Sequence, residues 1–264
     1  MSAPPEGPET LIRVRDLVVR IGDRVISSVP ALDVAPGQCV AIVGESGSGK
    51  TTALMATLGL LDGAEVTGEI VVCGTDVIGA PERRLREIRG ARAALVMQSP
   101  RAALTPTMRL GTLLRRALAR HGVKGEQAVR RAEDAVAAVL LDRAILRRYP
   151  HEVSGGQAQR FAIALAIALG ADVIVADEPT SALDVTVQAE VVGVLRHLRD
   201  ERGLAVLLVS HDLALVSAIA DHVLVMREGT VVESGPAAEV FARPRAPYTR
   251  ELIAAVPELP EVGR

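Results

Sequence analysis

The chain has 264 residues, 49% hydrophobic and 23% charged, with a formal net charge of −2. That length suits one large α/β domain or a domain carrying an inserted lobe. The near-neutral balance argues against a non-specific nucleic-acid binder, which needs clustered Lys and Arg.

Residues 1–10 are rich in Pro and Glu and read as a flexible tail, without the basic start and apolar run of a signal peptide. Residues 11–21 carry Val, Leu and Ile with partial alternation, which predicts a strand. Pro36-Gly37 marks a turn, and the apolar run 40–43 predicts a second strand. A helix is expected from Lys50, with Leu54, Leu58 and Leu61 at helical spacing and Asp62-Gly63 ending it. Residues 68–72 predict another strand.

From about 81 to 168 the pattern turns helical, which predicts an inserted helical subdomain. Arg83, Arg84, Arg86 and Arg89 read as the solvated face of one helix. Between 126 and 141, Val129, Ala132, Val136, Val139 and Leu140 are expected to line one apolar face. Strand 173–176, helix 185–202, strand 205–209 and helix 213–220 then alternate, which predicts a mostly parallel sheet with covering helices. Runs 223–226 and 230–233 flank Glu228-Gly229 as a hairpin, and residues 237–264 form a less regular, proline-rich tail. Cys39 and Cys73, the two cysteines, form no C-x-x-C pair or Cys/His cluster, so they are expected as buried small hydrophobes in strands rather than zinc ligands or a disulfide. The apolar stretch 161–176, broken by Asp172, is shorter than the ~20 residues that span a bilayer. A soluble, cytoplasmic protein is expected.

Gly44-Glu45-Ser46-Gly47-Ser48-Gly49-Lys50-Thr51 fits G-x-x-x-x-G-K-[ST], after a strand and before a helix. The glycines let successive N–H groups turn toward phosphate oxygens, and the helix N-terminus adds partial positive charge. Lys50 can reach the β- and γ-phosphates, Thr51 can hold Mg²⁺, and Thr52 extends the loop. Asp177-Glu178 follow four apolar residues at a strand's C-terminal end, where α/β proteins bind ligands. As a pair alone they could equally cap the next turn before Pro179. Behind a phosphate loop, Asp177 reads as a Mg²⁺ ligand through water and Glu178 as a general base. Ser154-Gly155-Gly156-Gln157 precedes a long apolar helix. Ser154 fits an N-cap, and the glycine amides with the helix tip also fit an anion site.

Val153-Ser154-Gly155-Gly156-Gln157 resembles the signature sequence of the ABC ATPase family, with Val153 in place of its usual leucine. Gln98, after a strand expected at 93–97, matches that family's Q-loop. Ser181-Ala182-Leu183-Asp184 matches the D-loop, and His211 the switch histidine. The resemblance implies an α/β P-loop NTPase core with a mostly parallel sheet, an N-terminal antiparallel β lobe and the inserted helical subdomain, together spanning residues 11–236. It further implies two such domains, identical or paralogous, facing each other head to tail. ATP would lie between the phosphate loop of one and Ser154–Gln157 of the other. Lys50, Thr51, Gln98 and Asp177 would manage phosphates and Mg²⁺. Glu178 would activate water, His211 would contact the γ-phosphate, and Asp184 would link the two sites. The implied partners are a second ATPase subunit, two transmembrane permease subunits and an extracytoplasmic solute-binding protein. The implied location is the cytoplasmic face of the membrane.

The family's upstream adenine-stacking aromatic is matched here by Ile21. No aromatic residue precedes Tyr149, so weaker adenine contact is expected. The segments Tyr149-Pro150-His151-Glu152, Gln98-Ser99-Pro100 and Pro247-Tyr248-Thr249-Arg250-Glu251-Leu252-Ile253, then Pro257, resemble the peptide and nickel importer branch. Some branch members carry a cysteine-rich C-terminal extension for an iron–sulfur cluster. No cysteine stands in this tail, so none is expected. Two alternatives are a non-transport ABC ATPase in DNA repair, chromosome organisation or translation, and a regulatory subunit that binds ATP without cleaving it. The short insertion without sustained heptads opposes the first, and Glu178 with His211 opposes the second.

Overall fold

The computed structural model describes residues 10–256. The N-terminal tail expected at 1–10 and Pro257 with the rest of the chain's end lie outside the described residues, apart from Thr10. Ten strands form one sheet: β1 (Ile12–Ile21), β2 (Arg24–Val34), β3 (Cys39–Val43), β4 (Glu65–Val72), β5 (Thr75–Asp76), β6 (Ala93–Val96), β7 (Val173–Asp177), β8 (Ala205–Ser210), β9 (His222–Arg227) and β10 (Thr230–Pro236). Their order is β5-β4-β1-β2-β10-β9-β3-β8-β7-β6. β6, β7, β8, β3 and β9 run parallel. β5, β4, β1 and β2 are antiparallel neighbours. The two halves join where β10, antiparallel to β9, meets β2 through one parallel residue pair, Thr230 opposite Ser28.

The parallel strands are buried on both faces, which explains their unbroken apolar runs. Alternation divides each strand between two cores. Cys39, Ala41 and Val43 of β3, with Ile174 and Ala176 of β7, face one core. Val40 and Ile42, with Val173 and Val175, face the other. The first core is covered by α4 (Leu110–Arg120), α5 (Gly125–Ala138), α6 (Gly155–Leu169), α7 (Val185–Arg202) and α8 (Leu213–Ile219), the second by α1 (Lys50–Thr57) and α2 (Glu82–Ile88). The short α3 (Pro100–Ala103) precedes α4. α6 lies between the other helices and the sheet and is buried around most of its circumference. Its Phe161 is fully buried, a burial that contributes about 1.5–3 kcal/mol.

Several elements differ from expectation. α1 ends at Thr57, before Leu61. The chain turns there because Arg89 takes the carbonyls of Leu58 (Nε, 2.8 Å) and Gly59 (Nη2, 2.6 Å). Arg89 therefore does not belong to the solvated face formed by its neighbours on α2. The strand expected at 93–97 is β6, which pairs with β7 inside the otherwise helical stretch 81–168. On α5 the buried face is Ala128, Ala132, Ala135 and Val136, continued by Val139. Val129 is exposed one position away, and Leu140 lies beyond the helix with φ 57°. The small alanines let α5 approach α6 closely, so the large apolar residues were a poor guide to its packed side. Cys39 is buried in β3, and burial pushes its thiol up to about 12. Cys73 instead sits partly buried in the β4–β5 turn with φ 47°. The tail after Pro236 forms two helices, α9 (Ala237–Ala242) and α10 (Pro247–Ala254), with Pro247 in the first turn of the latter. No described helix is long and apolar enough to cross a membrane.

Candidate functional site: a phosphate loop at the strand ends

The parallel register brings the candidate residues together. Val43 lies opposite Ser210, Asp177 opposite Val209, and Val96 opposite Ala176. The segments that follow therefore leave the C-terminal ends of four adjacent strands: the loop from Gly44, Gln98, Glu178 and His211. Side-chain contacts link three of these segments; Gln98 is exposed just beyond β6.

Gly44 to Gly49 wraps around the Lys50 side chain. Its ammonium donates to the carbonyls of Gly44 (2.8 Å) and Glu45 (2.7 Å) and to Ser48 Oγ (3.4 Å). Gly49 caps α1 with φ 90°, and a Cβ there would collide with the Ile26 carbonyl. Only glycine lets the loop lie against β2 in this conformation. Gly229 N–H, in the β9–β10 turn, donates to Ser48 O at 3.1 Å. The first turn of α1 carries no acidic residue, so its positive end faces the loop uncompensated.

Thr51 Oγ1 donates to Asp177 Oδ1 at 2.9 Å. Glu178 leaves the strand with φ 45°, its N–H bonded to Val209 O at 2.8 Å. That turn sends its carboxylate away from Asp177 to His211, whose Nδ1 lies 3.0 Å from Glu178 Oε1. Burial pushes the Lys50 ammonium below its usual range, against the pull of Glu178, Asp177 and Glu45. Burial also raises the Asp177 carboxyl, helped by the charge of Glu178 and opposed by the Thr51 hydroxyl and Lys50. The site thus confines charges whose environment penalises them, a pattern concentrated where ligands bind.

Ser154 to Gln157 lies at the N-terminus of α6 as a closed capping box. Ser154 Oγ accepts from Gln157 N–H (3.2 Å), and Ser154 N–H donates to Gln157 Oε1 (3.1 Å). Ser154 is exposed, while Gly156 is buried against Val187, where a Cβ would clash with that side chain. Val187 belongs to the first turn of α7, whose N-cap Asp184 accepts its N–H at 3.0 Å. Ser181 Oγ in turn donates to Glu178 O at 3.1 Å. One packed run of chain therefore connects Glu178 with Gly156. Ile21 is 52% exposed at the end of β1, on the hairpin whose Ile26 abuts the loop.

One contact was not anticipated. Glu45 N–H donates to the phenol oxygen of Tyr248, 203 residues away, at 3.1 Å. Pro247-Tyr248 marks a branch resemblance in the sequence, but nothing in its spacing signals a reach to the loop.

Residues 29–181 match the model of the ABC transporter family, and a Brucella abortus (strain 2308) protein named for peptide import ATP binding is 43% identical over 231 residues, 86% of this chain and 70% of its own length. The chain belongs to the ABC transporter family. It is an ATP-hydrolysing cassette with the P-loop NTPase fold. Residues 232–264 match a second model, the oligopeptide/dipeptide transporter C-terminal region. The oligopeptide transport ATP-binding protein OppD of Mycobacterium tuberculosis (strain ATCC 25618 / H37Rv) is 41% identical over 262 residues, covering 94% of the cassette and 42% of OppD. Among solved structures, the ATP-binding cassette MJ0796 in a dimeric post-hydrolysis state with ADP and Pi superposes with a TM-score of 0.74 at 27% identity, covering 86% of this chain and 98% of that one. The cassette cbiO1 of Clostridium perfringens, part of an ABC transporter complex, gives 0.77 at 25% identity, covering 89% and 91%.

Proposed function

We propose that this cassette is the ATPase subunit of a peptide importer, working as a head-to-tail pair with a second cassette, identical or paralogous, beneath two permease subunits at the cytoplasmic face of the membrane and fed by an extracytoplasmic solute-binding protein. The observation that carries the chemistry is the pairing of Glu178 with His211 at 3.0 Å beside the Thr51–Asp177 contact at 2.9 Å. The match of 232–264 to the oligopeptide/dipeptide region, and relatives named for peptide transport, favour peptides over nickel as cargo.

Gly44, Glu45, Ser46, Gly47, Ser48 and Gly49 form the phosphate cradle, with Lys50, Thr51 and Thr52 closing it at the helix tip. Among the described residues no three His, Cys, Asp or Glu side chains cluster as a metal site. Thr51 and Asp177 supply two oxygens, with Gln98 at the neighbouring strand end, so a hard cation held there would be completed by phosphate oxygens and water. Mg²⁺ in that place would neutralise phosphate charge. The raised Asp177 carboxyl, hydrogen-bonded to the exposed Thr51 at the helix tip, fits a group stabilised by a cation.

Glu178 accepts a proton from water as that water's oxygen bonds to the terminal phosphorus and the bond to the ADP oxygen breaks. His211 orients the carboxylate and reaches toward the terminal phosphate. Ser154, Gly155, Gly156 and Gln157 present amides and a hydroxyl to the nucleotide on the second subunit, with Asp184 coupling the two sites. The test is ATP-driven peptide uptake by vesicles bearing the assembled transporter. Glu178→Gln should lower turnover by about 10²–10⁴ and stop uptake while ATP still binds. Near-normal turnover removes Glu178 as base, and active hydrolysis that nickel but no peptide stimulates removes the cargo assignment.

A further inference from the structure

Tyr248 lies in the first turn of α10, 6% exposed, with its ring beneath the Arg227 guanidinium at 4.8 Å. A phenylalanine would fill the same space and make the same cation–ring contact. The hydroxyl is what distinguishes tyrosine here, and it meets the amide of Glu45, the second residue of the phosphate loop. The helix that carries it is itself tied down. Glu233 of β10 accepts the N–H groups of Arg245 (2.8 Å) and Ala246 (3.0 Å), the two residues before Pro247. A continuous set of contacts thus runs from β10 through residues 245–246 and Tyr248 to the loop.

We propose that Tyr248 is a positioning residue of the phosphate loop: its hydroxyl fixes the peptide plane between Gly44 and Glu45, and the C-terminal segment thereby sets how well the following amides converge on phosphate. The inference rests on the phosphate-cradle reading given under Proposed function. A loop of three glycines in eight residues has much backbone freedom to lose on binding. A tether made before the nucleotide arrives reduces that loss, which is preorganisation. Coupling is reciprocal, so whatever shifts α10 alters nucleotide affinity, and nucleotide binding steadies α10.

The test is Y248F in the full chain, read by nucleotide titration, by hydrogen exchange at the Glu45 amide and by steady-state kinetics. Loss of one neutral hydrogen bond predicts affinity for ATP and ADP lower by about three- to tenfold. Faster exchange at Glu45 and kcat within about twofold of the parent should accompany it. Unchanged affinity and exchange overturn the inference. Lower thermal stability with unchanged affinity also overturns it, by making Tyr248 a packing residue alone. Lys50→Ala is run alongside. If that variant binds nucleotide normally, the cradle reading fails; if it loses binding while Y248F does not, only the role of Tyr248 fails. Should Y248F not accumulate as folded protein, Glu233→Gln loosens the entry to the same helix at residues 245–246 without touching the phenol. Faster Glu45 exchange in that variant supports the proposal, and unaltered exchange overturns it.

Discussion

The phosphate loop and the Ser154 turn are both glycine-rich entries to a helix, yet they are held in opposite ways. The loop is strapped from several directions by distant chain: the β9–β10 turn at Ser48, α10 at Glu45 and its own Lys50 across the mouth. The Ser154 turn is braced from behind by Val187, and among the described residues the Ser154 N–H and hydroxyl bond only to Gln157. The first is a grip that the chain completes by itself. The second is a finished surface turned outward, which the proposed head-to-tail pairing requires.

That contrast breaks if variants at the two places behave alike. The largest effect should come from Gly49→Ala, where the left-handed backbone alone costs about 1–3 kcal/mol and the Ile26 carbonyl adds a collision. An isolated subunit carrying it should lose measurable nucleotide binding in a calorimetric titration; retained binding would mean the loop is looser than its contacts indicate. Next is adenine recognition. A stacked aromatic contributes about 1–3 kcal/mol per base, and exposed Ile21 offers none, so ATP and GTP should compete nearly equally. A strong ATP preference that persists in Ile21→Ala would place base recognition elsewhere. The smallest effect on the fold should come from Ser154→Ala, which removes a cap at a cost of about 1 kcal/mol. In a single subunit its nucleotide titration should match the parent, while the cooperative dependence of hydrolysis on ATP is lost. Weakened binding in the isolated subunit would contradict the division of labour.

The phosphate loop, the acidic strand end and the Ser154 cap were all legible because each is written in a few adjacent residues whose chemistry is local. The mostly parallel sheet followed from the alternation of strands such as Val173 to Ala176 with helices. The misread features depend on distant partners. α1 stops at Thr57, and Arg89 holds the carbonyls of Leu58 and Gly59 just past its end. The packed side of α5 is set by alanines that admit α6 at close range, whereas periodicity weights the larger Val129 and Leu140. Tyr248 was visible as a letter, but its reach across the chain exists only once β10 and α9 have folded back.

The single pair between Thr230 and Ser28 has a consequence for how the molecule would come apart. Two half-sheets are basted together by one stitch, reinforced by Ser28 N–H on the carbonyl of Gly229 at 2.6 Å. Gly229 is also the residue whose own N–H secures Ser48. A rip along this hem would have to part the apolar lining that Val14 and Val29 share with Val40 and Leu224, and would pull Gly229 away from Ser48 as it went.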